Sequence, residues 1–94
     1  MNHKFLTHHP EDNVGVAVAD ITSSEIVTGA CLETNKPVQE VTASGDIPLG
    51  HKIALTDLPE GANIVKYGVN IGHASRQIKA GDYVHVHNVK SNRW

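Results

Sequence analysis

The sequence predicts an all-β fold in a single domain that spans residues 1–94. Short runs rich in Val, Ile and Thr are separated by turn signals at close intervals, which is typical of β proteins. No helix longer than about two turns is indicated, because the stretches that resemble helix caps are too short to be stable alone. With one Phe, two Tyr and one Trp, the chain must build a small and mainly aliphatic core.

The N-terminal half contains four predicted strands. Residues 4–8 form the first, which ends at a polar turn with Pro10. In residues 14–21 valines alternate with small residues, so one face is apolar and the other can lie close to a neighbouring backbone. Residues 26–32 are weakly strand-like, and residues 38–42 form a clearer strand.

The C-terminal half contains four more predicted strands. A turn at residues 45–50 leads into the strand 51–55, and turns rich in Gly, Asp and Pro separate the strands 63–68, 69–75 and 83–89. The basic tail ends in Trp94, which could anchor a partner surface or fold back on its own domain. No internal repeat is apparent in this pattern.

The composition argues against several classes of function. The formal charge is −2 and no basic stripe is present, so a nucleic acid partner is not expected. No apolar run is long enough for a signal peptide or a membrane span. The single cysteine, Cys31, has no internal disulfide partner, which suits a cytoplasmic location, and we interpret it as a small, half-buried apolar residue.

The most informative segment is 46–55, where a turn precedes two adjacent cationic side chains. Pro48 fixes φ and Gly50 permits a positive φ. His51 follows as a candidate proton carrier or donor to a substrate oxygen, although it could instead cap the turn. Lys52 is a candidate anchor for a carboxylate or sulfonate, or a solvated lysine. Because side chains alternate along a strand, the two residues should face opposite sides.

His85 and His87 are the second candidate group. If they alternate along the strand 83–89, both imidazoles face one side about 7 Å apart and could share a metal ion or an anion. A divalent metal would need a further ligand, and two solvent-facing histidines are the alternative. Asn88 could orient a substrate carboxylate or brace His87. Tyr67, before Gly68, could offer its hydroxyl to a substrate or belong to the core.

A complete catalytic apparatus is not indicated in this chain alone. No nucleophile motif and no phosphate-binding loop is present. The acidic residues are scattered through turns, with no spacing that predicts an acid and base pair: Asp12, Asp20, Asp46, Asp57 and Asp82.

The order of these short motifs resembles the SAF domain of the altronate/galactarate dehydratase family. The resemblance covers nearly the whole chain and is carried by Ile47-Pro48-x-Gly50-His51-Lys52, Lys66-Tyr67-Gly68, Ile71-Gly72 and His85-x-His87-Asn88. It implies a SAF-type β-clip, a small and irregular barrel-like fold. In that family the domain is either the N-terminal part of a long chain or a separate small subunit, and the separate form resembles the small (alpha) subunit of sulfolactate sulfo-lyase.

The resemblance implies the small subunit of a two-subunit lyase. The reaction would be β-elimination from a small 2-hydroxy acid, with sulfolactate and release of sulfite preferred because the chain does not run on beyond Trp94. A large catalytic subunit would hold most of the site, including iron or another divalent metal. This chain would contribute His51 first, then His85, His87 and Asn88. The alternatives are a small subunit of a sugar-acid dehydratase of altronate or galactarate type, and a non-catalytic module that binds a ligand or a protein.

Overall fold

The computed structural model describes residues 3–85 and 87–91, and within these ranges the chain forms strands and turns but no helix. The all-β prediction is therefore confirmed, and none of the described segments is a helix that could cross a membrane. The nine strands are β1 (Phe5–Thr7), β2 (Val14–Ala17), β3 (Ile26–Cys31), β4 (Lys36–Thr42), β5 (Lys52–Ala54), β6 (Asn63–Lys66), β7 (Val69–Ala74), β8 (Tyr83–Val84) and β9 (Val89–Ser91).

The strands form two open sheets. The larger sheet has the order β4-β3-β1-β2-β5-β8, and the smaller has the order β6-β7-β9. β1 pairs with β3 in parallel, and the other neighbours are antiparallel. The larger sheet ends at β4 and β8, so the described strands do not form a closed barrel, and the arrangement is consistent with a small all-β SAF domain.

A turn that occurs four times organises the fold, so the prediction of no internal repeat was wrong. Each copy has a buried alanine, a buried Ile or Leu four residues later, a residue with positive φ after three more, and a buried Ile or Val after another three. The copies are Ala17-Ile21-Ser24-Val27, Ala43-Ile47-Gly50-Ile53, Ala54-Leu58-Gly61-Ile64 and Ala74-Ile78-Gly81-Val84.

The four copies pair two by two through equivalent backbone hydrogen bonds. Ile21 and Ile47 exchange bonds of 2.9 and 2.8 Å, and Leu58 and Ile78 exchange bonds of 2.7 and 2.8 Å. In every copy the N–H of the positive-φ residue donates to the carbonyl of the partner copy's alanine, at 2.8 Å in all four cases. The first pair surrounds one core cluster and the second pair surrounds another.

Most of the scattered acidic side chains stabilise these turns. Asp20 and Asp46 accept backbone N–H groups from each other's turns, at 2.9 Å from Leu49 and 2.8 Å from Ser23. Asp57 accepts the N–H of Ala80 at 2.9 Å. These carboxylates therefore connect the paired turns of the fold.

The predicted strand 83–89 is wrong, because β8 ends at Val84 and a turn separates it from β9. The side chain of Asn88 causes the break: its Oδ1 accepts the N–H of His85 at 3.0 Å, and its Nδ2 donates to the carbonyl of Tyr83 at 2.8 Å. These bonds compete with strand pairing. His85 and His87 therefore do not alternate along one strand. Trp94 lies outside the described residues.

Candidate functional site

Three histidine rings surround Tyr83 at the edge of the larger sheet, and we call this group the histidine–tyrosine cluster. The centroid of the Tyr83 ring lies 5.3 Å from that of His51, 5.6 Å from His85 and 5.8 Å from His87. The rings of His51 and His85 are 5.4 Å apart. His85 and His87 are exposed, while His51 and Tyr83 are half-buried, so the cluster opens to solvent on one side.

The pairing of β5 with β8 assembles the cluster. Lys52 is in register with Val84, and Ile53 is in register with Tyr83. Continuing that antiparallel register by one step places His51 opposite His85. The backbone of His51 is fixed on both sides, because its N–H donates to Pro48 at 3.0 Å and its carbonyl accepts the N–H of Ala17 at 2.8 Å.

A short hydrogen bond of 2.5 Å joins the hydroxyl of Tyr83 to Nδ1 of His51. A tyrosine hydroxyl can donate to a neutral ring nitrogen or accept from a protonated one, so it can serve both protonation states of the imidazole. Within the described ranges Nε2 of His51 has no hydrogen-bond partner. This arrangement lets Nε2 exchange a proton with a bound molecule while Nδ1 holds the ring in place.

Asn88 shapes the loop that carries the other two histidines. Its side chain is only 4% exposed, and both of its polar ends bind backbone atoms of the same loop. These contacts brace His85 and Tyr83, whereas the brace considered for His87 and the contact of Asn88 with a substrate stay predictions.

The described residues of this chain do not form a metal centre by themselves. No three His, Cys, Asp or Glu side chains come together among them in a way that could hold an ion. His85 and His87 as metal ligands therefore stay a prediction that needs further ligands from elsewhere.

Lys52 and Tyr67 lie apart from the cluster. Lys52 is half-buried and alternates with His51 and Ile53, so it faces the side of the sheet that Ala54 occupies in the second core cluster. Burial lowers the pKa of Lys52, and the nearby charge of Lys66 lowers it further. Tyr67 is 44% exposed in the β6–β7 turn, so the interpretation of Tyr67 as a core residue was wrong.

A cavity of about 410 Å³ lies away from the cluster, lined among others by Thr7, His9, Cys31 and Lys36. Cys31 is buried rather than half-buried. Burial raises the pKa of its thiol, but hydrogen bonds from Thr34, Thr7 and the backbone N–H of Glu33 outweigh that effect and lower the pKa overall. These donors come from β1 and from the turn after β3, and no sequence motif indicated them.

Tyr83 was missed by the sequence analysis although it touches every histidine of the cluster. Its neighbour His51 is 32 positions away in the chain. The available signal was the repeated turn, in which Ala54 begins one copy and Val84 ends another; the hydrogen bonds of the structure show that these two copies are partners.

Comparisons with known proteins identify relatives along the whole chain. A family model for the altronate/galactarate dehydratase SAF domain matches residues 3–92. The chain is 38% identical over 95 residues to (2R)-sulfolactate sulfo-lyase subunit alpha of Chromohalobacter salexigens, and the match covers 100% of both chains. It is 42% identical over 89 residues to altronate dehydratase of Escherichia coli, where the match covers 95% of this chain but 17% of the relative. Galactarate dehydratase of the same bacterium is 34% identical over 80 residues, which are 14% of its length.

Proposed function

The chain belongs to the SAF-domain family of altronate and galactarate dehydratases, and on that basis we propose that it is the small subunit of a two-subunit lyase acting on a small 2-hydroxy acid. The observation that supports this proposal most directly is the histidine–tyrosine cluster. It offers one oriented imidazole and two exposed ones at an open edge of the sheet.

The proposed reaction is a β-elimination, with (2R)-sulfolactate as the preferred substrate. A proton leaves the carbon that bears the hydroxyl, and its bonding electrons form a double bond to the next carbon. The carbon–sulfur bond breaks, and sulfite leaves with the electron pair. The resulting enol gains a proton on the terminal carbon and loses the proton of its hydroxyl, and so becomes the 2-oxo acid pyruvate. Such a reaction needs a group that moves a proton and groups that hold anionic charge.

His51 can move the proton, and His85 and His87 can hold the anionic charge of the substrate. With Nδ1 bound to Tyr83, Nε2 of His51 is the atom that accepts or delivers the proton. His85 and His87 are exposed on one short loop, so in their protonated forms they can donate to the carboxylate or sulfonate of the substrate. Asn88 keeps that loop in shape.

The remaining components are assigned to a large partner subunit. With His85 and His87 assigned to the anionic groups of the substrate, His51 is the proton carrier of the cluster, and the proposal takes a second acid or base from outside it. We assign that group, and iron or another divalent metal, to the large subunit. A metal ion there would stabilise the enolate charge that develops during elimination. The small subunit would close over the site and exclude water.

The preference for sulfolactate is supported by the match that covers the whole of a sulfo-lyase subunit. A small subunit of a sugar-acid dehydratase, which expels water from altronate or galactarate, is the second candidate. It is supported by the 42% identity to altronate dehydratase. The remaining alternative is a SAF module that binds a ligand or a protein without catalysing a reaction. In that case no activity is expected with either substrate class.

The test is to produce the chain together with the large chain of the same lyase family from the same genome. Sulfite release from (2R)-sulfolactate and 2-oxo acid formation from altronate are measured with and without added iron. We expect activity only when both chains are present. His51→Ala should lower kcat by more than about tenfold, since a positioned acid or base contributes roughly 10²–10⁴.

His3→Ala is the matched control, because it removes an exposed imidazole that contacts Thr28 on β3 and is not part of the cluster. It should leave kcat unchanged. Full activity in the His51→Ala complex would remove His51 from the mechanism, and a wild-type complex that converts neither substrate would contradict the lyase proposal.

A further inference from the structure

An exposed apolar surface lies at the tip of the β6–β7 hairpin. Tyr67 is 44% exposed and Val69 is 60% exposed, on either side of the turn glycine Gly68. Lys66 precedes them, with its Nζ 5.3 Å from the centroid of the Tyr67 ring. Lys52 lies close enough for the charge of Lys66 to lower its pKa, and we call Lys52, Lys66, Tyr67 and Val69 the hairpin-tip surface. Large exposed aromatic side chains of this kind are common anchors in protein interfaces.

The backbone at Tyr67 is not one that favours tyrosine. Tyr67 has a φ of +53° and Gly68 has a φ of +74°, which is the conformation of the two-residue turns that prefer Asn-Gly or Gly-Gly. A tyrosine in the left-handed region is strained relative to Asn or Gly. The conformation of the turn does not require tyrosine, and its side chain stays 44% exposed, so it is available to a partner.

A buried carboxylate holds the tip rigidly. Asp12 accepts the N–H of Gly68 at 2.7 Å, and the N–H groups of His8 and His9 at 3.0 and 3.1 Å. The ring of His8 also packs against that of Tyr67, with centroids 5.4 Å apart. An anchor that is fixed before binding loses little conformational entropy when a partner arrives.

The charge beside the tip is not balanced by a carboxylate of the described residues. Lys52 and Lys66 are both half-buried. The ion pairs among the described residues are Lys4 with Glu25 and His9 with Glu33, so neither lysine has a carboxylate partner there. Burial and the charge of Lys66 lower the pKa of Lys52, so the two ammonium groups disfavour each other. An external anionic group would relieve this repulsion.

We propose that the hairpin-tip surface docks the large subunit, which presents an apolar recess for Tyr67 and Val69 and carboxylates opposite Lys52 and Lys66. This inference rests on the proposed function, because the occupant is the partner that function requires. In altronate dehydratase the matched segment is 17% of the chain, so the same domain belongs to a much larger body. In a separate subunit an interface must replace that covalent link.

The test measures binding between the purified small chain and the large chain of the same lyase family from the same genome, by isothermal titration at two salt concentrations. Tyr67→Asn should raise Kd by at least about tenfold, as expected for a central aromatic anchor. Lys66→Gln should raise Kd by about two- to fivefold and reduce its salt dependence. Because Asn adopts a positive φ more readily, Tyr67→Asn should unfold at no lower temperature than the wild-type chain.

Ile26→Thr is the matched control, since Ile26 is 64% exposed on β3 and Thr keeps a β-branched strand residue. It should change Kd by less than about twofold. The proposal is overturned if Tyr67→Asn binds as tightly as the wild type, if Ile26→Thr weakens binding equally, or if the wild-type chains do not bind. A tight wild-type complex that Tyr67→Asn disrupts, but that converts neither substrate, supports the interface while it contradicts the lyase function.

Discussion

Asn in place of Asp12 should loosen the connection between the first loop and the β6–β7 hairpin. The buried carboxylate accepts three backbone N–H groups, one on Oδ1 from Gly68 and two on Oδ2 from His8 and His9. An amide keeps one acceptor oxygen and presents an NH₂ group in the other position. At least one N–H then faces another donor, whichever way the amide is oriented.

The cost can be worked out from these bonds. A hydrogen bond to a charged group contributes about 1.5–3 kcal/mol, and a neutral one contributes about 0.5–1.5 kcal/mol. Asp12→Asn loses one or two charged bonds outright and weakens the rest. We therefore expect the free energy of unfolding to fall by about 2–4 kcal/mol. Asp57→Asn is the control, because Asp57 accepts one N–H on Oδ1 at an exposed position and the amide can keep that bond.

The pH dependence gives a second measurement. Burial raises the pKa of Asp12, but the N–H groups of Gly68, His8 and His9 outweigh burial and hold it below its ordinary value of 3.8. A depressed folded-state pKa means that the stabilisation is fully present above about pH 3.8 and is lost as the pH falls through the lower folded value. Urea unfolding at several pH values should therefore show a difference between wild type and Asp12→Asn that shrinks below that pH.

A loss of less than about 0.5 kcal/mol at pH 7, equal to that of Asp57→Asn, would refute this reasoning. It would mean that water satisfies the three N–H groups when the carboxylate is removed. A difference between the two proteins that grows as the pH falls would also refute it, because it would reverse the sign of the linkage.

Three further predictions concern the repeated turn and the cluster. In thermal unfolding, Gly81→Ala should destabilise the chain by more than about 3 kcal/mol, because a Cβ there would lie 1.9 Å from the carbonyl oxygen of Thr42. Gly61→Ala is the control: its φ is similar but the space around it is open, so it should cost about 1–2 kcal/mol. Ser24→Gly should stabilise the chain by about 0.5–1 kcal/mol, since Ser24 has a φ of +70°, and a lower melting temperature would contradict this. Tyr83→Phe should move the ¹⁵N chemical shifts of His51 in NMR spectra of the isolated chain by removing the partner of Nδ1; unchanged shifts would show that this hydrogen bond is absent in solution.

Local sequence rules predicted the strands and turns well where each turn is specified by its own residues. Pro48 and Gly50 indicated a chain reversal before His51, and Gly50 does have a φ of +86°. The same rules failed at residues 83–89, where strand-forming residues alternate but the Asn88 side chain forms a turn instead. A short polar side chain can hydrogen-bond either to nearby backbone or to solvent, and its surroundings in the fold determine which of the two occurs.

The repeated turn was present in the sequence and was not identified. Its copies share the same intervals between one small residue, two aliphatic residues and one residue with positive φ, but they have few identical residues. The segments between them also differ in length, since the alanines stand at positions 17, 43, 54 and 74. A search by identity misses such a pattern, whereas the hydrogen-bond network shows it at once because the backbone bonds of the four copies are equivalent.

By itself the sequence determined the β class, the exposed turn before His51 and the family, because these depend on residue types and on their order along the chain. Only the tertiary structure decided which side chains meet. The pairing of β5 with β8 brings Tyr83 and His85 to His51, and strand alternation carries Lys52 to the other face. The physical reason is that contacts across a sheet depend on register between segments about 30 residues apart, and a shift of one residue would exchange the two faces.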